Sequence, residues 1–398
     1  MNAGANDLPD DIEAPTVAPA AEAGRVEYSL SAGIVARFAR LGVSIAFTSY
    51  QSGILYFFGR NAGDAHLHQA GVPKPMGICL EEGGLTLVSG AQIVRFANVL
   101  ESDQRVNDRF DACYVPRAIH VTGDLDAHDV GIAADNRPIF VNTRFNCLAT
   151  VSSRHSFELI WKPPFISGLL DGDKCHLNGL AMADGAPAFV TAVSRSDVID
   201  GWRDRRADGG VVIDVRSGEI VCDGLSMPHS PRIHNGELWL LNSGTGELGT
   251  VARSRTGRGR FEPRAFCPGF ARGLAFFGRY AFVGLSRPRY RRFEGLALDE
   301  RLKRLDAEPW CGVQIIDLET GGCVDWLRID GAIGELYDVA VIPGIACAMA
   351  LTPGSHEAAN LVTLAPGAGR ARRASQAQPF EAAAPHSSLH RIDAPEFQ

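Results

Sequence analysis

The sequence predicts an all-β chain closed into a six-bladed β-propeller, and three observations carry that reading. Between its ends the chain is a succession of short apolar runs, about 5–7 residues each and closed by Gly, Asn or Asp, the punctuation of strands and turns. A degenerate unit built on an apolar-Gly-apolar-Ala step recurs six times, beginning at positions 75, 128, 176, 229, 270 and 337. Those intervals, about 41–67 residues, leave room for roughly four strands in each unit, as in a propeller blade. The regularly spaced amphipathic helices of a parallel βα architecture are missing.

Residues 1–24, rich in Ala, Pro, Asp and Glu, and 366–398, rich in Ala, Arg, Pro and Ser, have no periodicity and read as disordered tails. Residues 25–365 then form a single propeller domain. A short helix is expected at about 31–41 (SAGIVARFARL). The strands SIAFTSY (44–50) and GILYFFG (53–59) are expected to pair with the last unit and close the ring; a seventh blade is the alternative. The units read PMGICLEEGGLTLVSG (75–90), HDVGIAADNRPIFVNT (128–143), HLNGLAMADGAPAFVTA (176–192), HSPRIHNGELWLLNSG (229–244), FARGLAFFGRYAFVGLS (270–286) and YDVAVIPGIACAMALTP (337–353). Each gives a small-residue strand, a turn and a more apolar strand. Small residues suit the crowded centre of a ring, where backbones approach closely.

The chain has 398 residues, 45% of them hydrophobic, enough for two average domains or one large closed β-architecture. Lys plus Arg number 39 against 46 Asp plus Glu, a net charge of −7, which argues against a nucleic-acid partner. The basic run from Arg287 to Arg292 reads as a local solvated loop. Nine cysteines show no Cys-x-x-Cys pair, and Cys79, Cys147, Cys222, Cys267 and Cys347 sit in apolar runs, as small hydrophobes do. With no charged-then-apolar leader and no apolar run near ~18 residues, a soluble, reduced, cytoplasmic protein with no membrane partner is expected. The oligomeric state is left open.

The runs HVTGDLDAHDV (120–130), CHLNGLA (175–181), TAVSRSDVIDGWRDRRADGGVVIDV (191–215), GLSMPHSPR (224–232), LNSGTGELG (241–249) and GLALDERL (295–302) carry a resemblance. Across about residues 30–353 the chain resembles an uncharacterised bacterial family of propeller-like proteins, sometimes fused to tetratricopeptide repeats. That resemblance implies a fold and no activity. More remotely, the Asn-Gly-Leu-Ala step is similar to one in gluconolactonase-type six-bladed propellers, where Glu, Asn and Asp hold an axial divalent cation. Here histidines take the neighbouring positions, so the resemblance carries over neither calcium nor lactonase activity.

The first strand of each blade lines the axis, and its first position holds Lys74, His128, His176, His229, Phe270 and Tyr337 around the ring. Three neutral imidazoles in adjacent blades, His128, His176 and His229, are candidate ligands for a divalent metal such as Zn, Fe, Mn or Cu. A bound metal would polarise a carbonyl or acidify a water. Asp129, Asn178, Tyr337 and Asp338 are the candidate catalytic groups, with Asp124 and Asp126 nearby and His120 ranked below the column. A metal-free acid–base site is the second possibility, and histidines that only plug the axial channel the third.

In a four-stranded meander the start of strand one and the loop between strands two and three share a face. The two longest insertions, Ser194–Asp208 and Arg287–Trp310, fall in such loops and should overhang the histidines, the second with a helix in its second half. Lys74, Arg144, Arg195, Trp202, Arg203 and Arg272 are candidate substrate-binding residues, because planar Arg and Trp grip anions and rings. Asp197 belongs to the same loop, and Asn142, Thr143, Asn242, Ser243 and Thr245 would add a polar rim. The Gly-x-Ser-x-Gly elbow and the phosphate-binding loop are missing, SGTGELG (243–249) reads as a hairpin turn, and HEAAN (356–360) lacks the second His of a zincin helix. The expectation is an enzyme acting on a small polar metabolite or peptide, with hydrolysis, lyase chemistry and oxidation all open. A non-catalytic ligand- or peptide-binding scaffold and a purely structural propeller are the rivals.

Overall fold

A computed structural model describes residues 26–252, 258–289 and 292–364, which form six antiparallel sheets set as the blades of a propeller. Both expected tails lie outside the described residues. From the axis outwards, blade 1 is Pro75–Glu81, Gly84–Ser89, Gln92–Asn98 and Ala112–Val121. Blade 2 is Ala127–Ile132, Pro138–Asn142, Cys147–Thr150 and Glu158–Trp161, and blade 3 is Leu177–Ala183, Ala186–Ala192, Gly210–Asp214 and Ile220–Leu225. Blade 4 is Pro228–His234, Glu237–Asn242, Glu247–Ala252 and Arg260–Phe266, and blade 5 is Phe270–Phe277, Tyr280–Ser286, Cys311–Asp317 and Cys323–Ile329.

Blade 6 closes the ring from both ends of the chain. Its inner strand is Val339–Pro343, and its outer three are Val43–Ser49, Ile54–Asn61 and Asp64–Gly71. Ser44 pairs with Ile342 and Ala46 with Ala340, the expected closure by N-terminal strands, and the described residues form no seventh blade. One expectation is corrected here. The last unit does not supply two strands to one sheet, because the place beside Val339–Pro343 is already taken by Val43–Ser49. Its second run, Ala348–Ala350, crosses instead to the outer edge of blade 1 and pairs in parallel with Ala112–Tyr114. Tyr28–Leu30 adds a strand to the outer edge of blade 5.

Apolar runs appear continuous in the sequence because each sheet is buried on both faces. Successive side chains of a strand point to opposite faces. In Ile54–Asn61, Ile54, Tyr56 and Phe58 pack towards blade 5, while Leu55 and Phe57 pack towards blade 1. The same alternation fills the other four seams between neighbouring blades. Helix Ile34–Leu41 covers the seam between blades 5 and 6, where Phe38 meets Phe58 and Phe282 edge-on at 5.4 and 6.1 Å.

Near the axis the first strands crowd one another, and the recurrent glycine answers that crowding. A Cβ on Gly77 would stand 2.5 Å from the carbonyl oxygen of His128 and 2.8 Å from the Cα of Asp129, both backbone atoms of the next blade. On Gly179 it would stand 2.3 Å from Pro231 Cδ. Blade 4 alone has a long side chain in this column, Arg232, whose guanidinium reaches across the ring. It donates to Asp129 of blade 2 at 2.8 and 3.3 Å and stands 3.5 Å from Asp338 of blade 6.

The carboxylates themselves clamp adjacent blades. Asp129 accepts from the backbone N–H of Leu180 in blade 3, and Asp338 from that of Ile78 in blade 1, each at 2.9 Å. Ser230 of blade 4 accepts from Gly273 of blade 5 at 3.0 Å, so the clamp recurs at every second blade. Hydroxyls at the ends of second strands add further ties: Thr48 to the carbonyl of Met76, Thr143 to that of Leu177, and Ser243 to that of Ala271.

Two outcomes test this account. Gly77→Ala should lower stability by about 1–3 kcal/mol or more through overpacking, whereas Gly168→Ala, with open space around it, should stay within about 0.5 kcal/mol. Arg232→Met, which leaves two buried carboxylates without their cation, should cost about 3–5 kcal/mol. Urea unfolding midpoints at constant slope measure all three.

Candidate functional site

The first residues of the inner strands and the two long insertions enclose a cavity of about 1120 Å³ at one end of the axis. Lys74, His128, His176, Phe270 and Tyr337 line it from the column. Lys74 and His176 reach their positions with φ of 46° and 51°, a left-handed backbone that favours glycine. A long or ring-bearing side chain kept at that cost is a mark of functional surfaces. Trp202, Arg203 and Arg206 enter from the first insertion, and Arg287, Arg289, Arg292 and Phe293 from the second. The second insertion carries the expected helix, Ala297–Arg304, pinned to blade 4 by Arg301 on Glu247.

The rings form a continuous row. Tyr337 meets His128 edge-on at 5.5 Å, His128 meets His176 edge-on at 5.1 Å, and Trp202 stacks on His176 at 4.2 Å. Each imidazole gives its Nδ1 to an oxygen a few residues earlier. His128 bonds the carbonyl of Asp126 at 2.6 Å, His176 the carboxylate of Asp173 at 2.6 Å, and His229 the carbonyl of Met227 at 2.8 Å. An acceptor at Nδ1 fixes the proton there and leaves Nε2 with its lone pair. Asp173 is itself held in place, since its other oxygen accepts from the backbone N–H of His176 at 2.7 Å.

Burial pushes the His128 imidazole down to about 4; His176 and Arg272 add to that effect, against the pull of Asp126. His229 is lowered further, by burial and then by Arg272. Burial also holds the Tyr337 phenol well above its ordinary value, so it stays protonated. Tyr337 Oη, Trp202 Nε1 and Arg272 Nε are buried without a hydrogen-bond partner among the described residues. Arg272 sits among aromatic rings, 4.8 Å from the centre of Phe270 and 5.8 Å from that of Tyr337, and its Nη1 is 3.3 Å from Glu335 and from Tyr50 Oη.

Of the residues expected from the sequence, Lys74, Asp126, His128, His176, Trp202, Arg203, Phe270, Arg272 and Tyr337 meet at the cavity. The other candidates lie elsewhere. His229 is buried edge-on against Phe270, and its Nδ1 is also 3.2 Å from Ser243 Oγ. Among the described residues no group of three or more His, Cys, Asp or Glu is placed to hold a metal ion. Asp129 and Asp338 are spent on the axial clamp, and burial raises the Asp338 carboxyl against the pull of Arg232. Asn178 accepts from Thr191 within blade 3 at 2.7 Å.

Arg144 forks onto Asp171 at 2.5 and 2.6 Å on the outside, and Arg195 is exposed. Asp197 anchors its insertion on Lys174 at 2.6 Å. His120 lies on the outer strand of blade 1. The polar rim is also reassigned: Asn142, Thr143, Asn242 and Ser243 are buried in turns and blade seams.

Sequence reasoning missed Asp173, Tyr50, Glu335, Arg206 and the basic run. Arg287, Arg289 and Arg292 line the cavity, with Arg289 and Arg292 still exposed to solvent. Their signal was present, because the run begins the longest insertion on the histidine face. Asp173 was legible as Asp-x-x-His, one turn before His176.

A family model described as a domain of unknown function (DUF4915) matches residues 32–351. No curated protein matches the chain. Among solved structures it is similar to virginiamycin B lyase from Staphylococcus aureus, with 14% identity over 61% of this chain and 73% of that one and a TM-score of 0.37. It is similar to a gluconolactonase from Xanthomonas campestris, with 13% identity over 81% and 91% and a TM-score of 0.46. A chain of a nidogen/laminin complex gives 9% identity over 76% and 99%, with a TM-score of 0.48.

The neutral histidines set a pH dependence. His128 and His66 both titrate near 4 in the folded chain, from an ordinary 6.5. Below about pH 6.5 the unfolded chain binds protons that the folded imidazoles refuse, so stability should fall from there towards pH 4. Thermal midpoints at pH 7.5, 6 and 5 should decrease in that order, and imidazole ¹⁵N shifts should show His128 still neutral at pH 5.5. A midpoint that rises on acidification contradicts the assignment.

Proposed function

The chain belongs to the DUF4915 family, a domain of unknown function, and from that premise we propose that its axial cavity is the active site of an enzyme that acts on a small polar metabolite by general acid–base catalysis. The observation that carries the reading is the Asp173–His176 pair: a carboxylate 2.6 Å from Nδ1 on a ring that lines the cavity. Asp173 keeps the proton on Nδ1, so Nε2 is the basic atom. When Nε2 takes a proton from substrate or water, the carboxylate stabilises the imidazolium that results. Trp202, stacked on the same ring, fixes its plane and keeps water from that face.

Tyr337 supplies the complementary role. Its phenol is buried, protonated and without a partner among the described residues, so it is free to donate to an oxyanion as charge develops. His128 lies between the two and stays neutral, an acceptor at Nε2 that adds no charge to oppose protonation of His176. Together these groups suit hydrolysis or an elimination that begins with proton abstraction.

One observation favours a second reading, in which His128 and His176 would hold a divalent metal. Both rings give Nδ1 to an oxygen, as metal-bound histidines do. Two imidazoles would then need further oxygen ligands from substrate or water.

A panel of nitrophenyl esters, lactones and β-substituted carboxylic acids, assayed on untagged protein, separates these readings. Asp173→Asn and His176→Gln should each lower turnover by about 10²–10⁴-fold, with circular dichroism unchanged and EDTA without effect. Full turnover in both variants contradicts the acid–base pair. Loss on EDTA treatment with recovery on adding Zn or Mn selects the metal reading.

A further inference from the structure

We propose that the ligand of the axial cavity is an organic anion, a carboxylate or a phosphate ester, its charged end held by arginines of the two insertions and its apolar body against Phe270. The inference rests on the cavity being a ligand site, as argued above, but not on the acid–base pair.

The protein is acidic overall, with a net charge of −7. Its cavity is the reverse: seven Lys and Arg side chains line it against four Asp and Glu. Five of those arginines come from two separate insertions that meet over the cavity, where Arg206 Nη2 stands 3.8 Å from the place a Cβ on Gly295 would occupy. Cations brought together from independent segments repel one another, and an anion between them turns that repulsion into attraction.

The ion pairs leave the positive charge incompletely matched. Among the described residues Arg206 donates to the carbonyl of Arg203 at 3.0 Å, and Arg287 to the carbonyls of Gly331 and Ile333 at 2.5 and 2.7 Å; neither has a carboxylate partner. Arg272 and Arg289 share one carboxylate, Glu335. Among the described residues three donors of the lining are also left buried and unused, Arg272 Nε, Tyr337 Oη and Trp202 Nε1. A buried donor without an acceptor is costly, and an anionic oxygen from a ligand would satisfy both kinds of deficit at once.

The remaining lining is apolar. Met76, Met227, Phe270, Phe293 and Leu296 give the ligand's body a dry surface, and Arg272 packs its guanidinium on Phe270 so that charge and ring are presented side by side. A concave site of about 1120 Å³ is the size of a metabolite pocket rather than a polyanion track.

Calorimetric titration of the full chain with benzoate, phenyl phosphate, benzyl alcohol and benzylammonium tests the proposal. The two anions should bind with dissociation constants below about 1 mM, at least tenfold tighter than the alcohol, with no heat from the ammonium. Affinity should fall as salt rises. Arg206→Gln, a change at an exposed side chain that leaves the fold intact, should weaken anion binding at least tenfold, and Arg206→Lys less. A preference for phenyl phosphate over benzoate, or the reverse, assigns the source of the charge.

Equal affinity for benzoate and benzyl alcohol, or anion binding that Arg206→Gln leaves unchanged, overturns the proposal. Anion binding with no turnover of any compound keeps this inference and removes the acid–base one. Turnover of neutral esters without anion binding does the opposite.

Discussion

One guanidinium, reaching across the centre of the ring, ties three alternate blades together. Arg232 of blade 4 holds Asp129 of blade 2 and faces Asp338 of blade 6, and each carboxylate in turn clamps the next blade through a backbone N–H. A charge group this enclosed survives only when its lone pairs are satisfied. Here Val130, Leu180, Ile78 and Val339 all donate to the two carboxylates. The clamp also fixes the chemistry above it, because His128 immediately precedes Asp129 and Tyr337 immediately precedes Asp338. Where the carboxylates are held, the rings have no freedom to wander.

This produces two electrostatic layers along one axis. The lower layer is a closed network of ions that supports the ring. The upper layer is the cavity, lined by imidazole and phenol from the column and by arginines from the two insertions. Burial drives His128 and His229 neutral, and the nearby Arg272 acts in the same sense. On the proposed reading, arginines gathered beside these groups attract an anion and leave His176 to act on it.

The fold was largely legible in the sequence, for a physical reason that particular elements show. Gly77 and Gly179 recur because the next blade stands within a Cβ's reach, so ring packing leaves a periodic mark. Ile54 to Phe58 is continuously apolar because both faces of the strand are buried. The exception, Ala348–Ala350 on blade 1, broke no pattern that could be seen, since the same apolar run fits either sheet. Within the site, the column was legible and its division of labour was not. Asp129 and Asp338 had the right composition for catalysis and are used for cohesion, while Arg287, Arg289 and Arg292, read as part of a solvated loop, also line the cavity.

By itself the sequence determined the ring, its closure by the N-terminal strands, the face on which the insertions gather and the height of the histidines on the axis. All of these are periodic or follow from strand direction, which the order of residues encodes directly. Only the tertiary structure decided which imidazole meets the cavity, which nitrogen each ring presents, and that arginines from two insertions converge on one space. A repeat position sets where a side chain begins. Where its polar atoms end depends on partners brought from other blades, such as Arg232 for Asp129 or Phe270 for His229, and those meet only when the ring closes.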